Sequence, residues 1–180
     1  MKEIQVSVQG ITPLLQHRFA EVGADEPSKK RTGAPDWKGE VEVSLYKDKD
    51  GKIYQPSEHF EKALKNSAKS FKIAGKRGAT YTRLIGSSVE ILPYELIHKI
   101  QHYVIDSRAV VIQKARVIRY RPRLDEWELD FTLRILDAQL PISVIKEILD
   151  YAGLYVGIGD YRPQLGGKFG KFMVIRFEEI

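Results

Sequence analysis

The sequence predicts an α+β fold in which one antiparallel sheet carries two helices on one face, and three observations predict it. Residues 3–11 and 126–136 alternate apolar and polar side chains, as half-buried strands do. Segments near 57–71 and 141–152 repeat apolar residues at helical spacing. With one inserted hairpin set aside, the elements run β-α-β-β-α-β, the ferredoxin-like (RRM-like) order.

The first strand places Ile4, Val6 and Val8 on one face and Gln5, Ser7 and Gln9 on the other. Thr12-Pro13 ends it, and residues 14–19 are expected as a short turn or helical piece. Residues 20–36 are charged and rich in small residues without periodicity, which predicts a long mobile loop. Leu45-Tyr46-Lys47 and Ile53-Tyr54-Gln55 flank Asp50-Gly51, a tight-turn signal, and form the inserted hairpin.

The first helix is expected to start at Pro56-Ser57, with Ser57 as N-cap and Phe60, Leu64, Ala68 and Phe71 facing inward. Lys62, Lys65, Lys69 and Lys72 then form a continuous lysine stripe on its flank. Lys76 and Arg77 extend the positive charge into a basic loop. Residues 84–107 give no clear pattern. Two long strands are expected over 108–121 and 126–136, joined by a hairpin loop at 121–125. The earlier one carries Arg108, Arg116, Arg119 and Arg121. In the later one, Trp127, Leu129, Phe131, Leu133 and Ile135 point to the core, and Glu128, Asp130, Thr132 and Arg134 point away. The second helix buries Ile142, Ile145, Ile148 and Leu149, with Gly153 as its C-cap, and residues 172–178 form the last strand.

A length of 180 residues fits a single domain over 1–180, and a 43% hydrophobic content can fill its core. The sequence has no cysteine, which excludes disulfides and thiolate metal sites and fits a cytoplasmic location. No apolar run approaches the ~20 residues needed to cross a bilayer, and Met1–Val6 alternates like a strand rather than a leader, so no membrane association is expected. The net charge of +5 and a pI near 9.3 favour a polyanionic partner.

The segment 157–172 concentrates the functional signal. Gly157, Gly159, Gly166, Gly167 and Gly170 permit positive φ and can turn backbone amides toward an anion. Arg162, Lys168 and Lys171 add charge for phosphate, and Tyr161, Phe169 and Phe172 can stack on bases. The simpler alternative is a connector whose glycines only turn the chain. No phosphate-binding Gly-x-x-x-x-Gly-Lys-Ser/Thr motif is present, and Gly157-x-Gly159 follows a helix rather than a strand, against a dinucleotide fold.

A glycine-rich loop between the second helix and the last strand of a ferredoxin-like domain resembles the RAMP superfamily of CRISPR-associated RNA-binding and RNA-processing proteins. Gly157–Phe172, with Gly166-Gly167, looks like that family's signature loop, and Ile53–Ser57 is similar to the approach to its first helix. Thr12–Phe19 also looks like the opening of uncharacterised phage and mobile-element proteins. The resemblance implies single-stranded RNA held along the loop and the first helix, commonly by a helical stack of subunits. The family's processing enzymes usually carry two such domains, and 180 residues accommodate one.

The expected activity is therefore non-enzymatic binding of single-stranded RNA or DNA, with RNA ahead, by a homo-oligomer or a subunit of a nucleoprotein complex. A small endoribonuclease is the alternative, and His17 beside Arg18 and His59 on the basic helix are its candidate acid–base groups. An isolated histidine near cations is more often an ordinary surface residue. A third reading is an interaction module without nucleic acid, using the 20–35 loop and the 48–52 hairpin against neighbouring subunits. His98 and His102 have helical metal-ligand spacing, but they lack the glutamate of an H-E-x-x-H motif. No metal or other cofactor is expected. The acidic face formed by Glu126, Glu128 and Asp130 predicts that nucleic acid avoids the middle of the sheet.

Overall fold

A computed structural model describes residues 1–18, 37–112 and 114–180. In chain order the elements are β1 (Lys2–Gly10), β2 (Leu14–Leu15), α1 (Trp37–Ser44), β3 (Tyr54–Pro56), α2 (Ser57–Ser67), α3 (Thr82–Ser88), β4 (Val89–Leu92), β5 (Glu95–Ile97), β6 (Val104–Ile112), β7 (Ala115–Leu124), β8 (Glu128–Ile135), α4 (Ile142–Tyr151) and β9 (Phe172–Glu179). The predicted mobile loop at 20–36 lies outside the described residues.

Alternation along β1 and β8 fixes the main sheet, because a one-residue slip would turn the apolar set to solvent. Ile4, Val6 and Val8 pair with Leu133, Phe131 and Leu129. The four strands lie in the order β4-β8-β1-β9, and every neighbouring pair is antiparallel. With α2 and α4, this is the ferredoxin-like arrangement. Both helices bury their apolar stripes in one core: Phe60 and Leu64 from α2, Ile145, Ile148 and Leu149 from α4. The Phe60 ring sits 5.0 Å from Phe131 and 5.3 Å from Phe172, which joins α2 to two strands. Contacts of this kind add roughly 0.5–1.5 kcal/mol beyond the buried area.

The sheet's second strand is not the one the sequence suggests. It is β4, four residues long, from the segment without a clear pattern. The Arg-rich segment instead forms both arms of a separate hairpin, β6–β7, paired from Val104↔Arg123 to Ile112↔Ala115. Residues 121–124 remain inside β7 rather than forming a connector. Pro122 has no N–H to give the ladder, and its carbonyl accepts the Gln16 amide at 3.1 Å. Strand β2 joins the same hairpin through Leu14↔Leu124 and Leu15↔Arg123, so residues 14–15 are strand rather than helical.

Local boundaries differ as well. Helix α2 starts at Ser57 with Pro56 as its cap, and no side chain caps it. It ends at Ser67, whose hydroxyl donates to the Ala63 carbonyl at 2.8 Å, and one turn of 3₁₀ helix follows over Ala68–Ser70. The lysine stripe is therefore broken: Lys62 and Lys65 lie on α2, Lys69 on the 3₁₀ turn and Lys72 beyond it. At the end of α4 the chain widens into a π-turn over Ala152–Val156, and Gly157 (φ 71°), not Gly153, terminates it. A bulge in β9 between the partners of Ser7 and Val8 puts Phe177 opposite Val6, with Arg176 opposite Ser7.

The open face of the sheet neutralises itself. Lys99 bridges Glu128 and Asp130, Arg134 binds Glu3 at 2.8 Å, and Arg176 binds Glu178 at 2.6 Å. Another ion pair, Arg121–Asp160, lies where the Arg-rich hairpin meets the glycine-rich segment.

Candidate nucleic-acid interface

The glycine-rich segment is a compact loop, held by hydrogen bonds to parts of the chain far away in sequence. Asp160 N–H donates to the Leu15 carbonyl at 2.9 Å, Gly170 N–H to Pro13 at 2.8 Å, and Lys171 N–H to Thr12 Oγ1 at 3.0 Å. Within the loop, Ile158 N–H binds Gly170, Phe169 N–H binds Tyr161, and Gly167 N–H binds Arg162. These amides satisfy the protein itself. The expected cradle of amides around an anion is therefore largely consumed, because a packed loop must pair its buried backbone groups. Glycine is required sterically where backbone segments meet: a Cβ on Gly159 would strike the Leu15 carbonyl, one on Gly167 the Tyr161 carbonyl, and one on Gly170 the Ile158 carbonyl.

Side chains are thus what the loop offers to a ligand. One cleft of about 240 Å³ lies between α2 and the loop, and His59, Lys62, Asn66, Gly159, Arg162 and Gln164 line it, with Gly157 beside them. Arg162 is fixed by two donations, Nη1 to the Gly159 carbonyl at 3.0 Å and Nε to Gln164 Oε1 at 3.1 Å. Asn66 reaches the same Gln164 oxygen at 3.4 Å. Lys62 is paired with Glu58 at 3.0 Å, but both side chains are exposed, and such a pair contributes little.

His59 is positioned by a relay from the other sheet. Buried Gln16 donates to the Tyr54 carbonyl at 2.8 Å and to Gln55 Oε1 at 3.0 Å, and Gln55 in turn donates to His59 Nδ1. That leaves Nε2 as the ring's proton-bearing nitrogen. Burial, with the nearby charges of Lys62 and Arg162, lowers the His59 pKa to about 4, so the ring is neutral near pH 7. The other catalytic candidate, His17, lies 3.6 Å from Asp160 and is half exposed.

Several predicted contacts are engaged elsewhere. Arg121 is buried, 3.1 Å from Asp160 and 5.1 Å above the Tyr161 ring. Its angle to Asp160 falls outside hydrogen-bond geometry, so the two attract mainly as charges. Burial would raise the Asp160 pKa, but the nearby His17 ring, the Arg121 charge and the Tyr161 amide hold it below its ordinary value. Arg108 binds Asp106 at 2.6 Å and lies 4.5 Å over the Phe169 ring, and Arg119 binds Glu40 at 3.0 Å. Phe172 is buried in the core. A guanidinium group therefore covers one face of each of the Tyr161 and Phe169 rings and fastens the hairpin to the loop.

Arg116, Lys76, Arg77, Lys168 and Gly166 are exposed, away from the cleft lining, and Lys171 is half-buried. His98 is buried on the Trp127 ring rather than presented on a helix, and no metal-ligand cluster occurs among the described residues. Sequence reasoning missed Asn66 and Gln164. Asn66 was findable, since it lies seven residues after His59 on the same helix face.

No family model matches the chain, and no curated protein does. Solved structures do match in fold. One is a chain of the cryo-EM structure of the Type III-B Cmr-beta bound to cognate target RNA, with a TM-score of 0.61 and 15% identity. The alignment covers 99% of this chain and 60% of that one, so this protein spans about three-fifths of that chain's length. No helix among the described residues is long and apolar enough to cross a membrane.

Proposed function

We propose that this protein binds single-stranded nucleic acid without cutting it, RNA ahead of DNA, as a subunit of a CRISPR-type nucleoprotein complex. The observation that carries the proposal is the α2–loop cleft. There Arg162, Lys62, Asn66 and Gln164 converge as phosphate and 2′-hydroxyl partners on a floor that includes Gly157 and Gly159. The fold shared with a chain of an RNA-bound assembly supports RNA over DNA and supports a multi-subunit setting.

His59 supports binding over cleavage. Its Nδ1 is already an acceptor for Gln55, and its Nε2 carries the proton, so the neutral ring can donate a hydrogen bond but has no lone pair left to act as a base. The self-paired sheet face supports a path along the cleft rather than across the strands.

The test is fluorescence anisotropy with unstructured single-stranded RNA and DNA of the same length near 50 mM and 200 mM salt. RNA binding that weakens with salt is expected. Arg162→Ala combined with Lys62→Ala should weaken it about tenfold or more, at unchanged thermal stability. No binding to either strand at the lower salt refutes the proposal. RNA shortened during incubation without metal, with shortening abolished by His59→Ala, would replace it with the endoribonuclease reading.

A further inference from the structure

The surface of α2 carries a second groove on the side away from the glycine-rich loop. It lies between α2 and α3 as a shallow depression of about 530 Å³, open to solvent, and is lined by Lys65, Thr80, Thr82, Arg83, Gly86 and Ser87. No carboxylate lines it, and among the described residues neither Lys65 nor Arg83 is ion-paired. Most other arginines of this protein described above are neutralised by a neighbouring acid, so two unpaired cations in one depression stand out.

The groove walls suit an anion of phosphate size. Thr80 and Thr82 share one hydrogen bond between their hydroxyls at 2.9 Å, which leaves one of the two protons available to an outside acceptor. Ser87 donates to the Arg83 carbonyl at 3.0 Å, which fixes the last turn of α3. Gly86 keeps the floor low: a Cβ there would sit 3.4 Å from the Lys65 stem. With no side chain at 86, the Lys65 stem lies against α3.

This groove is also joined to the loop-side cleft. A smaller depression of about 190 Å³ lies between them, lined by Glu61, Lys62, Leu64, Lys65, Ile85 and Gly86. Lys62 lines both this depression and the loop-side cleft, and Lys65 and Gly86 line both it and the α2–α3 groove. Glu61 accepts the Ile91 amide at 3.1 Å and Glu58 pairs with Lys62 at 3.0 Å, so both acids beside the path are engaged within the protein. The cations therefore follow one another as Arg162, Lys62, Lys65 and Arg83.

We infer that the α2–α3 groove is a second phosphate-binding site, with Arg83 and Lys65 as its cations, and that a single strand seated in the loop-side cleft crosses α2 to reach it. This inference rests on the single-strand reading proposed above and adds to it a path and a length. A short oligonucleotide fills the loop-side cleft alone. A longer one reaches Arg83 and gains affinity that depends on that residue.

The experiment compares oligouridylates of about 4 and about 16 nucleotides, within the range of single-strand site sizes, on the wild type, Arg83→Ala, Arg83→Glu and Arg162→Ala. Arg83 is exposed, so its variants should melt at the wild-type temperature, which is checked first. With the longer strand, Arg83→Ala should lower affinity about fivefold and reduce the slope of log affinity against log salt by about 0.7. Arg83→Glu should lower affinity further. With the shorter strand, neither variant should matter, while Arg162→Ala weakens both strands. Arg83 variants that leave the longer strand unaffected, while Arg162→Ala weakens it, overturn the second site and leave the first. Arg83 variants that weaken both strands equally also overturn it, since they indicate a diffuse field rather than a seat. A wild type that binds neither strand overturns both readings.

Discussion

Gln55, fully buried at the mouth of α2, donates its side-chain amide to Nδ1 of His59 while its own oxygen accepts from Gln16. This relay runs from β2 through β3 into the cleft, and it holds an uncharged imidazole between two cations. Burial is the largest cause of the low His59 pKa, followed by the charges of Lys62 and Arg162. Removing those charges should move the value upward from about 4. It should stay below 6.5, since burial remains. Imidazole resonances followed by NMR across pH would show it. A Lys62→Ala, Arg162→Ala double variant that still titrates at about 4 would disprove the electrostatic coupling of these three residues.

A buried histidine elsewhere governs acid stability. His98 packs on Trp127 with a pKa lowered to about 3 by burial, and neither ring nitrogen has a hydrogen-bond partner among the described residues. The unfolded chain takes up a proton near pH 6.5, and the native chain refuses it down to about 3. Unfolding therefore binds protons in that window, and stability falls as pH drops from 6.5 toward 3. At ~1.4 kcal/mol per unit, the loss from this site is on the order of 3 kcal/mol by pH 4. His98→Leu should flatten this dependence and leave stability at pH 7 equal or higher, because an unpaired buried polar group is replaced by an apolar one. Urea midpoints at pH 7 and pH 4 test it, and an undiminished acid loss in the variant would contradict it.

The junction of hairpin and loop rests on Arg121 and Asp160. Breaking a buried pair leaves an uncompensated charge and typically costs ~3–5 kcal/mol. Asp160 is a quarter exposed, so Asp160→Leu should fall near the lower end. Arg121→Leu added to Asp160→Leu should recover part of the loss, because no charge is then stranded. Chemical denaturation of the two single variants and the double variant forms the cycle. Strictly additive losses would show that the two residues do not support one another.

Most of the core was readable from the sequence, and the reasons are local. Strands β1 and β8 alternate cleanly, and α2 and α4 carry apolar stripes, so each announces which face it buries. Strand β4 does not: four residues give two alternations, and Pro93 follows directly. Pro122 looked like a turn residue, but its strand is set by pairing with β6 and β2, contacts remote in sequence. The candidate site was legible in part for the same reason. His59, Lys62 and Arg162 carry their chemistry in their side chains and were found. What the loop amides bind could not be found, because their acceptors are Pro13, Leu15 and Thr12, about 145–160 residues earlier. The pairing of Arg119 with Glu40 and of Arg121 with Asp160 was hidden for the same reason.

The loop's glycines separate into two kinds, and substituting them should separate stability from binding. Gly166 has φ 80° and open space around its Cα, so Gly166→Ala pays only the left-handed backbone penalty, about 1–2 kcal/mol. Gly167 is packed on the Tyr161 carbonyl, and a methyl group there must push the two strands of the loop apart. That movement would break the Phe169–Tyr161 and Gly167–Arg162 backbone bonds and swing Arg162 away from Gly159. Gly167→Ala should therefore lower the melting temperature more than Gly166→Ala and should reduce single-strand affinity to the level of Arg162→Ala. Gly166→Ala, once folded, should bind like the wild type. If Gly167→Ala bound RNA with wild-type affinity, Arg162 would not depend on the loop's closure, and the cleft would have to be assembled by α2 alone.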